Sequence, residues 1–113
     1  MPSQNTLHYT DLAGHNAIGS QPIWRFVAAQ PPGDRPVGAY FTNLGPDTPN
    51  LAQRLRIPRT KLEFQFCFAS SDDFEPLRGG RGAYIFYSPT DYLVDPPRQQ
   101  YRGTSLDAPE ACR

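Results

Sequence analysis

The chain has 113 residues and a mass of 12.7 kDa, enough for one small domain and not for two. Its 11 Lys and Arg balance 11 Asp and Glu, which argues against a general nucleic-acid binder and against a polybasic membrane anchor. No apolar run approaches the roughly 20 residues of a membrane-spanning helix, and Met1-Pro2-Ser3-Gln4-Asn5 lacks the basic and apolar regions of a signal peptide. The expectation is a chain that is cytoplasmic or secreted without such a signal. The 13 Pro and 9 Gly exclude a helical bundle, whereas 12% aromatic residues is too rich for a disordered segment. Short elements, an aromatic core and proline-stiffened loops follow from that combination.

In chain order, Leu7-His8-Tyr9-Thr10 predicts a short strand, with Thr10 as N-cap of a helix that Gly19 stops. Residues 23–27 predict a second strand, and 30–36, with three prolines and a glycine, must be loop. A third strand spans 37–42, followed by a turn over 43–47. Thr48-Pro49 then reads as N-cap and first position of a short helix with Leu51 and Leu55 on one face, ended by Pro58. Residues 61–68 give the clearest strand signal. There Leu62, Phe64, Phe66 and Phe68 alternate with Lys61, Glu63, Gln65 and Cys67, which predicts one buried and one polar face. A glycine-rich polar loop follows over 70–82, then strands over 83–87 and 92–94, the last stopped by Pro96-Pro97. Residues 1–6 and about 103–113 are expected to fray, leaving a core of about 7–102 within a single domain, 1–113. The order of elements predicts an α+β fold with two small, mostly antiparallel sheets and few short helices.

Two cysteines, Cys67 and Cys112, make neither a disulfide scaffold nor a zinc site, and no metal is expected. Two free thiols is the reading adopted, and a single bridge is the alternative. His15 is expected on the helix surface. Arg54, Arg56 and Arg59 read as a solvated helix end that could also touch a partner or a pyrophosphate. Arg78 and Arg81, in their glycine-rich stretch, read as part of an ordinary loop, with an anion-binding loop as the alternative.

Three segments stand in a telling order: Leu7-His8-Tyr9-Thr10, Gly38-Ala39-Tyr40-Phe41-Thr42, and Ala83-Tyr84-Ile85-Phe86-Tyr87-Ser88-Pro89. Together they resemble the compact toxin-type ADP-ribosyltransferases named for a His–Tyr–Asp signature, in the diphtheria-toxin- and poly(ADP-ribose)-polymerase-like superfamily. There the first strand reads His-Gly-Ser/Thr or His-Tyr-Thr, and the second motif reads Gly-x-Tyr-Phe. The third resembles Glu-Tyr-Ile-Val-Tyr followed by Pro. Order and approximate spacing match over residues 7–95.

The resemblance implies an ADP-ribosyltransferase-like cleft between the two sheets, with NAD+ as co-substrate. His8 would bond the adenosine ribose, the Tyr9 backbone would meet the nicotinamide carboxamide with the Thr10 hydroxyl nearby, and Tyr40 would stack on the nicotinamide. An oxocarbenium-like transition state calls for a nearby carboxylate. The superfamily's glutamate would fall near Gly82 or Ala83, where this chain has no acid. The catalytic acid is therefore expected at Asp95, then Asp91, with Glu63 third. The implied activity is ADP-ribosyl transfer to a protein or nucleic-acid acceptor, or hydrolysis of NAD+. The implied setting is a toxin or effector domain opposed by a neutralising partner protein. Two other readings stand beside it: an inactive module binding NAD+, ADP-ribose or a protein, which the missing acid favours, and an aromatic-rich interaction domain unrelated to NAD+.

Overall fold

The computed structural model describes residues 4–31 and 33–113. The strand expected at the first motif is β1 (Gln4–Thr10), paired along its whole length with β4 (Phe64–Ser70), from Gln4↔Ser70 to Thr10↔Phe64. β4 in turn carries β8 (Gln99–Thr104) on its far side. On its other side β1 meets β3 (Ala39–Thr42), followed by β6 (Ile85–Ser88) and the two-residue β5 (Glu75–Pro76). The sheet order is β5-β6-β3-β1-β4-β8, with every pairing antiparallel. A second antiparallel sheet consists of β2 (Trp24–Phe26) and β7 (Tyr92–Val94). With two short helices, α1 (Leu12–Gly19) and α2 (Leu51–Leu55), the architecture is the expected α+β with two antiparallel sheets. Among the described residues no helix is long and apolar enough to cross a membrane.

The aromatic residues supply the core on one face of the large sheet. Phe66, Phe68 and Phe41 meet Trp24, Phe26 and Val94 of the small sheet. Ring centroids of Phe66 and Trp24 lie 4.9 Å apart, and those of Phe26 and Phe41 lie 5.2 Å apart, both edge-on as aromatic quadrupoles prefer. On the opposite face Leu7, Tyr9, Cys67 and Ile85 meet Leu51 and Leu55 of α2 and Cys112. β4 is therefore buried on both faces, including Gln65 and Cys67, and has no polar face. Alternation cannot register that, because Gln65 and Cys67 read as polar in sequence while elements far along the chain cover them. The strand also begins at Phe64; Leu62 and Lys61 belong to a 3₁₀ turn, Arg59–Leu62.

Other expectations change at the caps. Asp11, not Thr10, caps α1, its Oδ1 accepting the Gly14 N–H at 2.9 Å. Thr10 stays paired in β1, where Asp11 already takes the extended cap geometry. α2 starts after Asn50, which takes a left-handed conformation (φ 58°), so Thr48-Pro49 precede the helix without capping it. β6 starts at Ile85, since the Tyr84 and Ile85 N–H groups both donate to Arg81 O and close a turn. His15 does not face solvent. It stacks on Phe64 at 4.8 Å and Phe66 at 5.4 Å, holding α1 against β4.

The largest corrections concern the ends. Cys67 and Cys112 are joined in a disulfide, not free, because the C-terminal segment packs over the face of β4 that carries Cys67. Residues 103–113 are not frayed: they finish β8 and form two 3₁₀ turns, and Arg113 donates to Ala108 O and to Asp47 Oδ1, each at 2.8 Å. At the other end Gln4–Thr6 belong to β1, while residues 1–3 of the expected frayed stretch lie outside the described residues, as does Pro32 of the 30–36 loop.

Candidate functional site

β1 and β3 share one paired position, Leu7↔Thr42. The ladder ends there, and a side chain continues the connection. His8 Nδ1–H donates to Tyr40 O at 2.8 Å, since a carbonyl can only accept. The imidazole is clamped further by Phe26 and Phe41, with ring centroids 4.9 and 6.0 Å away. Burial pushes its pKa below the ordinary histidine value and outweighs the opposing pull of the Tyr40 carbonyl. His8 is thus neutral at pH 7, with Nδ1 committed and Nε2 left as a lone-pair acceptor.

His8 and Tyr40 wall two clefts, together with Pro31. The larger, about 590 Å³, is also lined by Leu7, Tyr9, Thr42 and Ile85 on its sheet side and by Arg35 and Arg56 opposite. The smaller, about 450 Å³, runs between α1 and β2, past Ile18, Arg25, Val27 and Gly38. Gly38 is needed there for space: a Cβ would come within 2.7 Å of the Tyr87 ring and 2.9 Å of Ser88 O.

Tyr40 is partly exposed and firmly held. Its ring stacks on Tyr87 at 5.1 Å, its hydroxyl donates to Pro36 O at 2.6 Å, and the Arg35 guanidinium lies 5.8 Å from its ring centre. Burial raises its pKa, helped by Tyr87 and opposed by Arg35. Tyr9 lines the same cleft, but its hydroxyl serves the fold, donating to Leu44 O at 2.8 Å. Burial and the Asp47 carboxylate both raise its pKa. Thr10 lies in neither lining; its Oγ1 occupies the space a Cβ on Gly14 would need, so it packs β1 against α1.

The expected acids lie elsewhere. Asp95 is exposed and paired with Arg98 Nε at 3.0 Å, which holds its carboxyl below the usual carboxylate range. Asp91 accepts from the Ala28 N–H at 2.8 Å and from Arg25 Nη2 at 2.6 Å, tying the start of β7 to the end of β2. The Ala28 bond first and the Arg25 pair second lower its pKa. Glu63 is exposed beyond the 3₁₀ turn, with its carbonyl accepting the Ser105 N–H. None of the three lines either cleft.

The larger cleft has members that sequence reasoning passed over. Asp34 is the one carboxylate in either lining among the described residues, and Arg35 follows it. Both sit in the proline-rich loop, where no periodicity marks them. The nearest signal was a charged pair enclosed by Gly33 and Pro36, where a loop is held at both ends. Lys61 also lines the cleft but pairs with Asp11 Oδ2 at 2.6 Å. Among the described residues no cluster of three or more His, Cys, Asp or Glu is placed to hold a metal ion. No family model, curated protein or solved structure matches this chain, so no family is assigned on those grounds.

Proposed function

We propose that this domain is an NAD+-dependent ADP-ribosyltransferase, or a hydrolase of NAD+ working by the same bond cleavage. The observation that carries the reading is the His8–Tyr40 pair: a neutral imidazole bridges the gap between two strands, its free acceptor and an aromatic ring standing between two clefts. Two clefts sharing one wall suit an extended dinucleotide, with one base in each. Nε2 of His8 accepts a ribose hydroxyl, and the Tyr40 ring packs the nicotinamide. Held this way, the bond between ribose C1′ and the nicotinamide nitrogen is aligned for cleavage. Its electron pair returns to the pyridinium ring, and an oxocarbenium-like ribose is captured by a nucleophile of the acceptor, or by water, which gives up its proton. Asp34, the one carboxylate in the lining among the described residues, is the candidate to offset that positive charge.

A second reading, a module that binds NAD+ or ADP-ribose without turnover, is favoured by one observation: Asp95, Asp91 and Glu63 all lie outside both clefts. Incubation with NAD+ and assay of free nicotinamide separates the two. Release that is lost in His8→Ala and Tyr40→Ala, with circular dichroism unchanged, supports the enzyme. Binding without release supports the module. If millimolar NAD+ gives neither release nor a shift in melting temperature, both readings fall and an aromatic interaction domain remains.

A further inference from the structure

Three arginines gather at the C-terminal end of α2: Arg35 and Arg56, which line the larger cleft, and Arg81, which lies outside the lining and is held to the helix backbone. Arg35 Nη2 donates to Leu55 O at 3.0 Å, and Arg81 Nε donates to Arg54 O at 3.2 Å. Among the described residues none of the three lies within 4 Å of a carboxylate oxygen, which is also true of Arg54, Arg59, Arg78 and Arg102; Arg35 and Arg81 differ in being held by backbone carbonyls beside the cleft. Backbone carbonyls therefore fix the guanidiniums of Arg35 and Arg81 in place and leave most of their five N–H donors free.

Arg56 adds a second line of argument. It ends α2 in a left-handed conformation (φ 56°), the position at which glycine or asparagine is the usual choice. Its own N–H donates to Gln53 O and the Ile57 N–H donates to Ala52 O, so the backbone there is a closed helix cap. An arginine stands where glycine would fit more easily, and that residue lines the cleft. A cation at a helix C-terminus also offsets the helix dipole, but α2 has five residues, and Arg35 and Arg81 belong to other segments. Burial lowers the Arg35 pKa, Tyr40 opposes that, and like-charge repulsion from Arg56 and Arg81 adds to the lowering.

We infer that Arg35, Arg56 and Arg81 form a subsite for the phosphate groups of an organic phosphate or diphosphate entering the larger cleft. Guanidiniums bind phosphate oxygens in pairs through parallel N–H bonds. Asp34 sits in the same lining, next to Arg35 in the chain, and disfavours a bare anion close to its carboxylate. The inference deepens the NAD+ reading and rests on it for the ligand's identity, while the subsite rests on charge and geometry. The phosphates could belong to the dinucleotide or to a separate phosphorylated ligand.

The test is calorimetric titration of inorganic pyrophosphate and of NAD+ into the wild type, Arg56→Gly and Arg81→Gln. Arg56→Gly suits the φ of the site, so its melting temperature should equal or exceed that of the wild type. The expected result is pyrophosphate binding by the wild type, with affinity at least tenfold weaker in each variant and a reduced dependence on salt. Competition between pyrophosphate and NAD+ assigns the subsite to the dinucleotide, and simultaneous binding assigns it to a second ligand. Pyrophosphate binding that needs both arginines, with no NAD+ binding, supports the subsite and sinks the NAD+ reading. Absence of pyrophosphate binding, or equal affinity in all three proteins, overturns the subsite even if nicotinamide is still released.

Discussion

His8 does two jobs that share one protonation state. Neutral, it bridges β1 to Tyr40 O and leaves Nε2 as an acceptor; protonated, Nε2 becomes a donor and the buried ring carries a charge. Because burial depresses its folded pKa, the unfolded chain takes up the proton first as pH falls. The stability His8 contributes is thus fully present above about 6.5, its ordinary value, and is lost as pH drops through the folded pKa. Urea unfolding of the wild type and His8→Gln from pH 7.5 to 5 should show the wild type losing stability more steeply; parallel curves would refute the assignment. At this scale the site is half legible. His8 and Tyr40 stand out because each lies in a strand beside a recognisable neighbour. Asp34 and Arg35 do not, since a loop with no period to read brings them to the cleft, whereas Arg56 is legible only as one of three arginines at a helix end that could touch a pyrophosphate. Asp95 and Asp91 looked available in sequence because their partners, Arg98 and Arg25, are known only from the fold.

At the scale of elements, β4 decides most of the structure. Its aromatic positions are legible as a strand, yet its second buried face is not, since α2 and the C-terminal segment that cover it come from 13 residues earlier and from the far end of the chain. β8 is missed for a related reason. Gln99-Gln100-Tyr101-Arg102-Gly103 is an edge strand with few apolar residues, held in place by pairing with β4. Phe66 tests the importance of β4 directly. It is fully buried among Trp24, Phe26 and His15. Phe66→Ala should cost about 3–5 kcal/mol, against a total of about 5–15 kcal/mol for a domain of this kind. Phe86→Ala, at a half-buried position against Phe74, should cost clearly less. Equal denaturation midpoints for the two variants would show that β4 is not the centre of the core.

At the scale of the molecule, the prolines and the disulfide act on different states of the chain. Among the described residues most prolines stand between helices and strands, although Pro76 belongs to β5 and Pro96-Pro97 to a 3₁₀ turn, and Pro31 and Pro58 form part of the cleft wall, where a fixed φ limits how far the loops can collapse into the space. The Cys67–Cys112 bridge acts instead on the unfolded chain. It spans 45 residues, and a loop of that length corresponds to about 4 kcal/mol of removed chain entropy. Such a bridge persists in an oxidising compartment and not under cytosolic reducing conditions, so the stability it adds depends on where the chain resides. The bridge also belongs to the same cluster as Leu7, Tyr9, Leu51 and Leu55, which packs beneath the larger cleft and positions α2 with Arg56 at its end. Loss of the bridge should therefore lower stability and loosen the floor of the cleft together. Thermal melts with and without dithiothreitol should differ by at least about 10 °C, and limited proteolysis of the reduced protein should cut first within residues 105–113. If both forms melt together and resist protease equally, the packing of Cys112 and Ala108 against the sheet suffices without the covalent link, and the bridge has no structural role.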